Sequence, residues 1–178
     1  MNIFFLDRNT RLAAEYHVDK HVVKMILESA QLLSTAHRVL DGTETLGTSQ
    51  TGRKVKRWIL PDARENVLYS ATHINHPSAV WVRQNIDHYR YQFDLYSCLM
   101  DEYTYRYGKD HKCRELFGAL FDAPHNIDVE APWSDPPQAM PDDVKVAGDS
   151  IQAYRNYYAK YKNTMAKWTK RQIPYWWS

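Results

Sequence analysis

The sequence predicts an all-α protein, a single compact domain with three to four main helices and long loops, and three observations carry that expectation. Two stretches, Leu12 to Leu40 and Ser78 to Tyr107, contain neither Gly nor Pro and repeat apolar residues at helical spacing. Alternation of the strand kind persists nowhere, and no segment repeats. The length of 178 residues fits one domain with a sizeable core, so residues 1–178 are read as one unit.

The chain opens on a short apolar segment, MNIFFL, after which Asn9 or Thr10 can cap a helix. In the first long helix Val18, Val22, Met25, Ile26, Ala30, Leu33 and Leu40 recur at three- and four-residue intervals, with a bend expected near His17. Asp41-Gly42 stops it. Residues 41–57 are rich in Gly, Thr and Ser and then basic, which predicts a mobile surface loop, followed by a short piece around Trp58–Tyr69. The second long helix carries Val82, Ile86, Tyr89, Phe93, Tyr96, Met100, Tyr103 and Tyr107 on one face and ends at Gly108. A shorter helix is expected over Lys109–Phe121. Residues 122–149 hold five of the eight prolines and seven acidic groups against the single Lys145, the pattern of a wrapping loop. Asp149-Ser150 caps a last helix running to about Lys170, and Ile173-Pro174 begins an aromatic tail over 172–178.

Composition narrows the function classes. No apolar run approaches the length of about 20 residues that crosses a bilayer, and MNIFFLDRN reaches Asp7 and Arg8 too soon for a signal peptide, so a cytoplasmic protein without a membrane partner is expected. Cys98 and Cys113 fall in no metal-ligand spacing and are expected as buried, reduced thiols. The net charge is only +2, but it is sorted along the chain. Residues 150–178 lack Asp and Glu, and there Arg155, Lys160, Lys162, Lys167, Lys170 and Arg171 interleave with Tyr and Trp, including Trp168. A second basic knot is Arg53, Lys54, Lys56, Arg57 with Trp58. Cations neutralise phosphates and ring faces stack on bases, so DNA is the expected partner; the competing account is a solvated amphipathic helix whose aromatics are core.

Candidate chemistry lies on the first helix. His21, Lys24, Glu28 and Gln31 are spaced by three, four and three, with His17 one turn earlier, and so share one face of a mostly apolar helix. Inward-facing ionisable groups are costly unless paired or used, which makes the stripe either a catalytic site or a structural ion-pair network. His73, Asn75 and His76 form a second cluster before Pro77, at the start of the next long helix and a reasonable phosphate seat, or simply a cap. His17, His21, His73 and His76, with Glu28, also offer ligands for a metal such as zinc, although no HExxH or Asp-rich pattern accompanies them; no cofactor is expected.

The segment Asp19-x-His21, with Glu28 and Gln31 downstream, resembles the N-terminal helix of the pyrimidine-dimer DNA glycosylases of the phage endonuclease V type and related tailed-phage proteins. Asn75-His76-Pro77, the helix end Glu102 to Gly108, and the aromatic, basic run Tyr154 to Lys162 are similar in kind to further parts of that family. The resemblance covers about half of the chain and implies an all-α enzyme that binds duplex DNA, extrudes a nucleotide and breaks its N-glycosidic bond, with abasic-site lyase activity. An amine attacks the sugar C1′ and forms a Schiff base, while a carboxylate, here Glu28, stabilises positive charge. The amine is expected at the α-amino group of Met1 or at Lys24, with His21 orienting. Gln31, Asn75, His76 and the C-terminal cations would bind DNA. Gln31 stands where the family has an arginine, and Asn2 follows Met1 where the family exposes a small residue. Two other classes compete: a non-enzymatic nucleic-acid-binding phage accessory protein, and a metal-dependent hydrolase or base-modifying enzyme built on the histidines.

Overall fold

The computed structural model describes residues 1–49 and 51–177; Gln50, in the segment expected as a loop, and Ser178, the end of the expected tail, lie outside the described residues. The elements run α1 (Thr10–Tyr16), α2 (Asp19–Asp41), β1 (Thr43–Thr48), β2 (Lys54–Ile59), α3 (Pro77–Val82), α4 (Ile86–Tyr107), α5 (Phe117–Phe121) and α6 (Ser150–Tyr161), with short 3-10 turns between them. The expectation of an all-α fold is corrected by β1 and β2, which pair antiparallel from Thr43 with Ile59 to Thr48 with Lys54. The segment 41–57, expected as a mobile loop, is therefore most of a hairpin. Its Gly and Thr content masked β-branched residues at strand spacing, Thr43 and Thr45 opposite Ile59 and Arg57.

Both long helices break, for physical reasons. Asn9 caps α1 by accepting from the Arg11 and Leu12 N–H groups, and α1 stops at His17, whose ψ is extended at 132°. The carbonyls left open at that stop are all taken: Arg106 donates to Glu15 and His17, and the Trp168 indole donates to Tyr16. The Arg106 side chain is fully buried and also pairs with Asp19 at 2.9 Å, in the first turn of α2, and with Glu102 at 2.6 Å. One guanidinium thus fixes the α1–α2 corner against α4. The second expected helix, Ser78 to Tyr107, is interrupted between α3 and α4, where Asn85 caps α4 by accepting from the His88 N–H. Gly108 ends α4 at φ 70°, a left-handed conformation that costs Gly little. The helix expected over Lys109–Phe121 is a 3-10 turn at Lys112–Leu116 followed by α5, and the last helix stops at Tyr161 rather than near Lys170.

One core forms where α2 lies on α4, with Met25, Ile26, Leu32 and Leu33 against Leu95, Tyr96, Leu99 and Met100. A Gln92 to Ser29 hydrogen bond of 2.8 Å crosses that interface. The apolar start of the chain belongs to this core, since Ile3, Phe4, Phe5 and Leu6 are all buried.

The ion-pair corner makes stability depend on acidity. Burial alone would raise the Asp19 carboxyl, but hydrogen bonds from Thr169 and Arg106 outweigh it and hold it below the usual carboxylate range. Burial likewise opposes Arg171 and Arg106 at Glu102, and the arginines win. Both folded pKa values lie below the unfolded ones, so the stabilisation is complete above pH about 4 to 4.5 and is lost as pH falls through the folded values. Melting temperatures across pH 6 to 2.5 should drop in that window, and Asp19→Asn should drop less steeply from a lower plateau.

Candidate functional site

Glu28 sits in the middle of α2, where the start of the chain crosses the helix. Its Oε2 accepts from the main-chain nitrogen of Asn2 at 3.0 Å, and its Oε1 pairs with Lys24 Nζ at 3.1 Å. The carboxylate is mostly covered, its side chain 13% exposed, whereas that of Lys24 is 64% exposed. Asn2 is held in turn by its own side chain, whose amide donates to the Ala139 carbonyl at 2.9 Å and whose oxygen accepts from Ile3 N–H.

Phe4 is what aims this segment. It takes φ 53°, unusual for a bulky residue, and its ring lies 4.3 Å from the His21 ring and 6.0 Å from that of Tyr157, with Tyr154, Tyr158 and His17 closing the box. Beyond it, Arg155 donates to the Leu6 carbonyl and pairs with Asp7. A second segment packs along α2 near Glu28. Thr72 N–H donates to Thr35 on α2, His73 turns at φ 49°, and His76 caps α3 by accepting from Ser78 N–H. The proton affinity of His76 is lowered by burial and then by the α-amino group of residue 1 and by His73, while Glu28 acts in the opposite sense. The chain terminus, Glu28 and His73 therefore each lie within electrostatic reach of His76.

His21 and His17 are buried parts of the aromatic box. His21 Nδ1 shares a hydrogen bond of 2.6 Å with the Tyr158 hydroxyl, and His17 Nδ1 donates to the Ala13 carbonyl. Burial pushes His17 down to about 4 and His21 to about 3, and the charges of Lys162 and Lys24 add to the effect at His21. Both rings are neutral when folded and charged when unfolded below pH about 6.5, so they stabilise fully above that pH and progressively less below it. Their ring proton resonances should stay constant from pH 7.5 to 5.5; a titration midpoint near 6.5 for either would contradict this burial. The alternative of a metal set on His17, His21, His73 and His76 does not assemble: among the described residues no three His, Cys, Asp or Glu side chains converge as ligands. His17 and His21 are turned into the box, where Tyr158 and the Ala13 carbonyl take their Nδ1 atoms.

The expected DNA-binding residues fall into two groups. Gln31 is half-buried one turn beyond Glu28, and Asn75 is exposed in the turn before α3. At the C-terminal end most of the cations have intramolecular partners. Lys160 pairs with Asp143, Arg171 with Glu102 and Glu15, and Lys170 donates to the Tyr105 carbonyl. Trp168 is buried at 8% exposure. Lys162 lies over the Tyr157 ring at 4.8 Å, and Lys167 is exposed beside the first turn of α2, where its carbonyl accepts from Asp19 N–H. Cutting away residues 168–178 would thus remove core and ion pairs, so point changes at Lys162 and Lys167 are the cleaner probes of DNA contact. A cavity of about 650 Å³ between α4 and residues 121–129 contains none of the expected site residues. The roles of Asn2, Phe4 and Asp19 were not read from the sequence, and only Asp19 had a signal there, its place in the Asp-x-His segment.

No family model, no curated protein and no solved structure matches this chain.

Proposed function

We propose that the protein is a DNA N-glycosylase with abasic-site lyase activity, acting on damaged or modified pyrimidines in duplex DNA. The observation that carries this reading is the main-chain nitrogen of Asn2 at 3.0 Å from a mostly covered carboxylate, Glu28. With Met1 in place that nitrogen is an amide and the primary amine is one residue away; once Met1 is cleaved, the nitrogen already on Glu28 is the primary amine. Its lone pair attacks C1′ and the base leaves with the glycosidic electron pair. Proton loss from nitrogen and opening of the sugar ring give the C1′ imine, and loss of a C2′ proton expels the 3′ phosphate. Glu28 stabilises the positive charge that builds at the sugar, which a preorganised carboxylate does best where water is excluded. Lys24 is the rival amine, but it stands mostly in water as an ordinary four-residue ion pair with Glu28.

Lys24 pairs with Glu28 and Lys162 lies over Tyr157, whose ring stacks on Phe4, so both suit phosphate contacts beside the reacting nucleotide. A cytoplasmic setting accords with two free cysteines. No helix among the described residues is long and apolar enough to cross a membrane. The test is borohydride trapping on a duplex containing an abasic site, with mass spectrometry of the adducted peptide. An adduct on the first peptide that is lost when a residue is added ahead of Met1 supports the terminal amine. Loss instead in Lys24→Met assigns Lys24, and absence of any adduct overturns the lyase.

A further inference from the structure

The basic knot of the sequence now has a shape, and the chemistry at Glu28 does not use it. Strands β1 and β2 form a two-stranded ribbon, and the sequence from 43 to 59 carries Arg53, Lys54, Lys56 and Arg57 against a single acid, Glu44. Glu44 pairs with Lys56 at 2.8 Å, and among the described residues no carboxylate lies within ion-pair distance of Arg53, Lys54 or Arg57. All three are exposed.

The root of this ribbon is rigid. Arg38, 5% exposed at the end of α2, donates to the carbonyls of Trp58, Glu65, Leu68 and Tyr69 and pairs with Glu65 at 2.6 Å. At Gly42 a Cβ would meet the Arg38 carbonyl oxygen at 2.4 Å, so only glycine lets the chain leave α2 along this path. Farther out, Gly47 leaves room for the Arg57 side chain to cross the partner strand, since a Cβ there would stand 3.0 Å from Arg57 Cδ. The Arg57 guanidinium is exposed and keeps its planar fork of donors for a phosphate.

The root of the ribbon lies on the same helical stripe as the site. Arg38, Thr35, Gln31, Glu28 and Lys24 are spaced by three, four, three and four and form one stripe on α2. The segment Tyr69 to His76 runs along that stripe, from Arg38 past Thr35 to the chain terminus. Gly42 is 14 residues beyond Glu28, about 21 Å at 1.5 Å per residue.

We propose that the β1–β2 hairpin, whose root lies about 21 Å along α2 from Glu28, is a second phosphate-binding surface that grips the DNA duplex away from the reacting nucleotide. It rests on the reading of the partner as duplex DNA. A two-stranded ribbon is one of the shapes that fits beside or into the major groove, and its cations at the tip and on both faces match phosphates on either wall.

The experiment uses the full chain and a duplex of about 24 base pairs with a central abasic-site analogue. Affinity is measured by fluorescence anisotropy at several salt concentrations, for wild type and for Arg53→Gln/Lys54→Gln/Arg57→Gln. Each lost phosphate contact lowers the log–log salt slope by about 0.9, so the triple variant should lose about 2.7 with an unchanged melting temperature. Arg53→Gln/Lys54→Gln, which leaves the Arg57 crossing intact, should lose about 1.8 and guards against a folding artefact. A wild-type slope in both variants, with adducts still trapped, overturns the hairpin surface and leaves the enzyme standing. A lost slope without any adduct in wild type supports the hairpin and overturns the lyase. Failure of wild type to bind the duplex overturns both.

Discussion

Glu28→Gln is expected to slow adduct formation on abasic DNA by about 10²- to 10³-fold, the usual effect of removing one preorganised group that meets charge developing in the transition state. The substitution keeps the volume and leaves an oxygen to accept from the Asn2 N–H, so the crossing of the first residues over α2 survives. Lys24 is mostly exposed, and losing an exposed four-residue ion pair costs only a few tenths of a kcal/mol. Folding and duplex affinity should therefore be near those of wild type, and single-turnover borohydride trapping isolates the chemical step. An unaltered trapping rate would remove Glu28 from the mechanism. A variant that loses both its melting transition and its DNA affinity would make the carboxylate structural.

The largest expected loss of stability is at Arg106. Arg106→Met retains bulk but strips the guanidinium from Asp19, Glu102 and the carbonyls of Glu15 and His17, which leaves Asp19 without its cation, held only by Thr169, and Glu102 with Arg171 alone. Breaking a buried pair by removing one partner costs about 3–5 kcal/mol. Urea denaturation should show a loss of that size, against less than about 1 kcal/mol for Arg114→Met, whose pairs with Asp101 and Asp110 stand largely in water. Equal losses at the two sites would mean that the α1–α2 corner is not held as described.

The helical stripe of His21, Lys24, Glu28 and Gln31 was legible because period and polarity are local properties of the sequence. Its continuation to Thr35 and Arg38 was not. An arginine in the last turn of a helix ordinarily answers the helix dipole from the surface, and nothing near Arg38 tells that four carbonyls from residues 58 to 69 will surround it. The hairpin was hidden for a related reason. Its strands are mostly exposed, so no alternation of burial is written into the side chains, and its threonines count equally as loop formers. At the C-terminal end the cations were visible, but not the carboxylates that engage them. Asp143 lies 17 residues from Lys160 and Asp7 lies 148 from Arg155. The left-handed turn at Phe4 has no signature in a bulky residue, so the aim of the Asn2 nitrogen at Glu28 could only be seen in three dimensions.

The clamps on the first residues also set when the site can exist. Asn2 is tied to Ala139, Leu6 to Arg155, and Asp19 to Thr169. Ribosomes add about 5–20 residues per second, so the partners of the amino terminus emerge on the order of ten seconds after it does. Until then Ile3 to Leu6 have no completed core to enter, and the nitrogen of residue 2 is free of its carboxylate but open to the enzymes that trim nascent chains. Any processing of Met1 is therefore easiest during translation, before the closing of the fold partly covers that residue. A chain cut short before Ala139 lacks this clamp on Asn2, so the crossing of the first residues over Glu28 waits on residues made long after it.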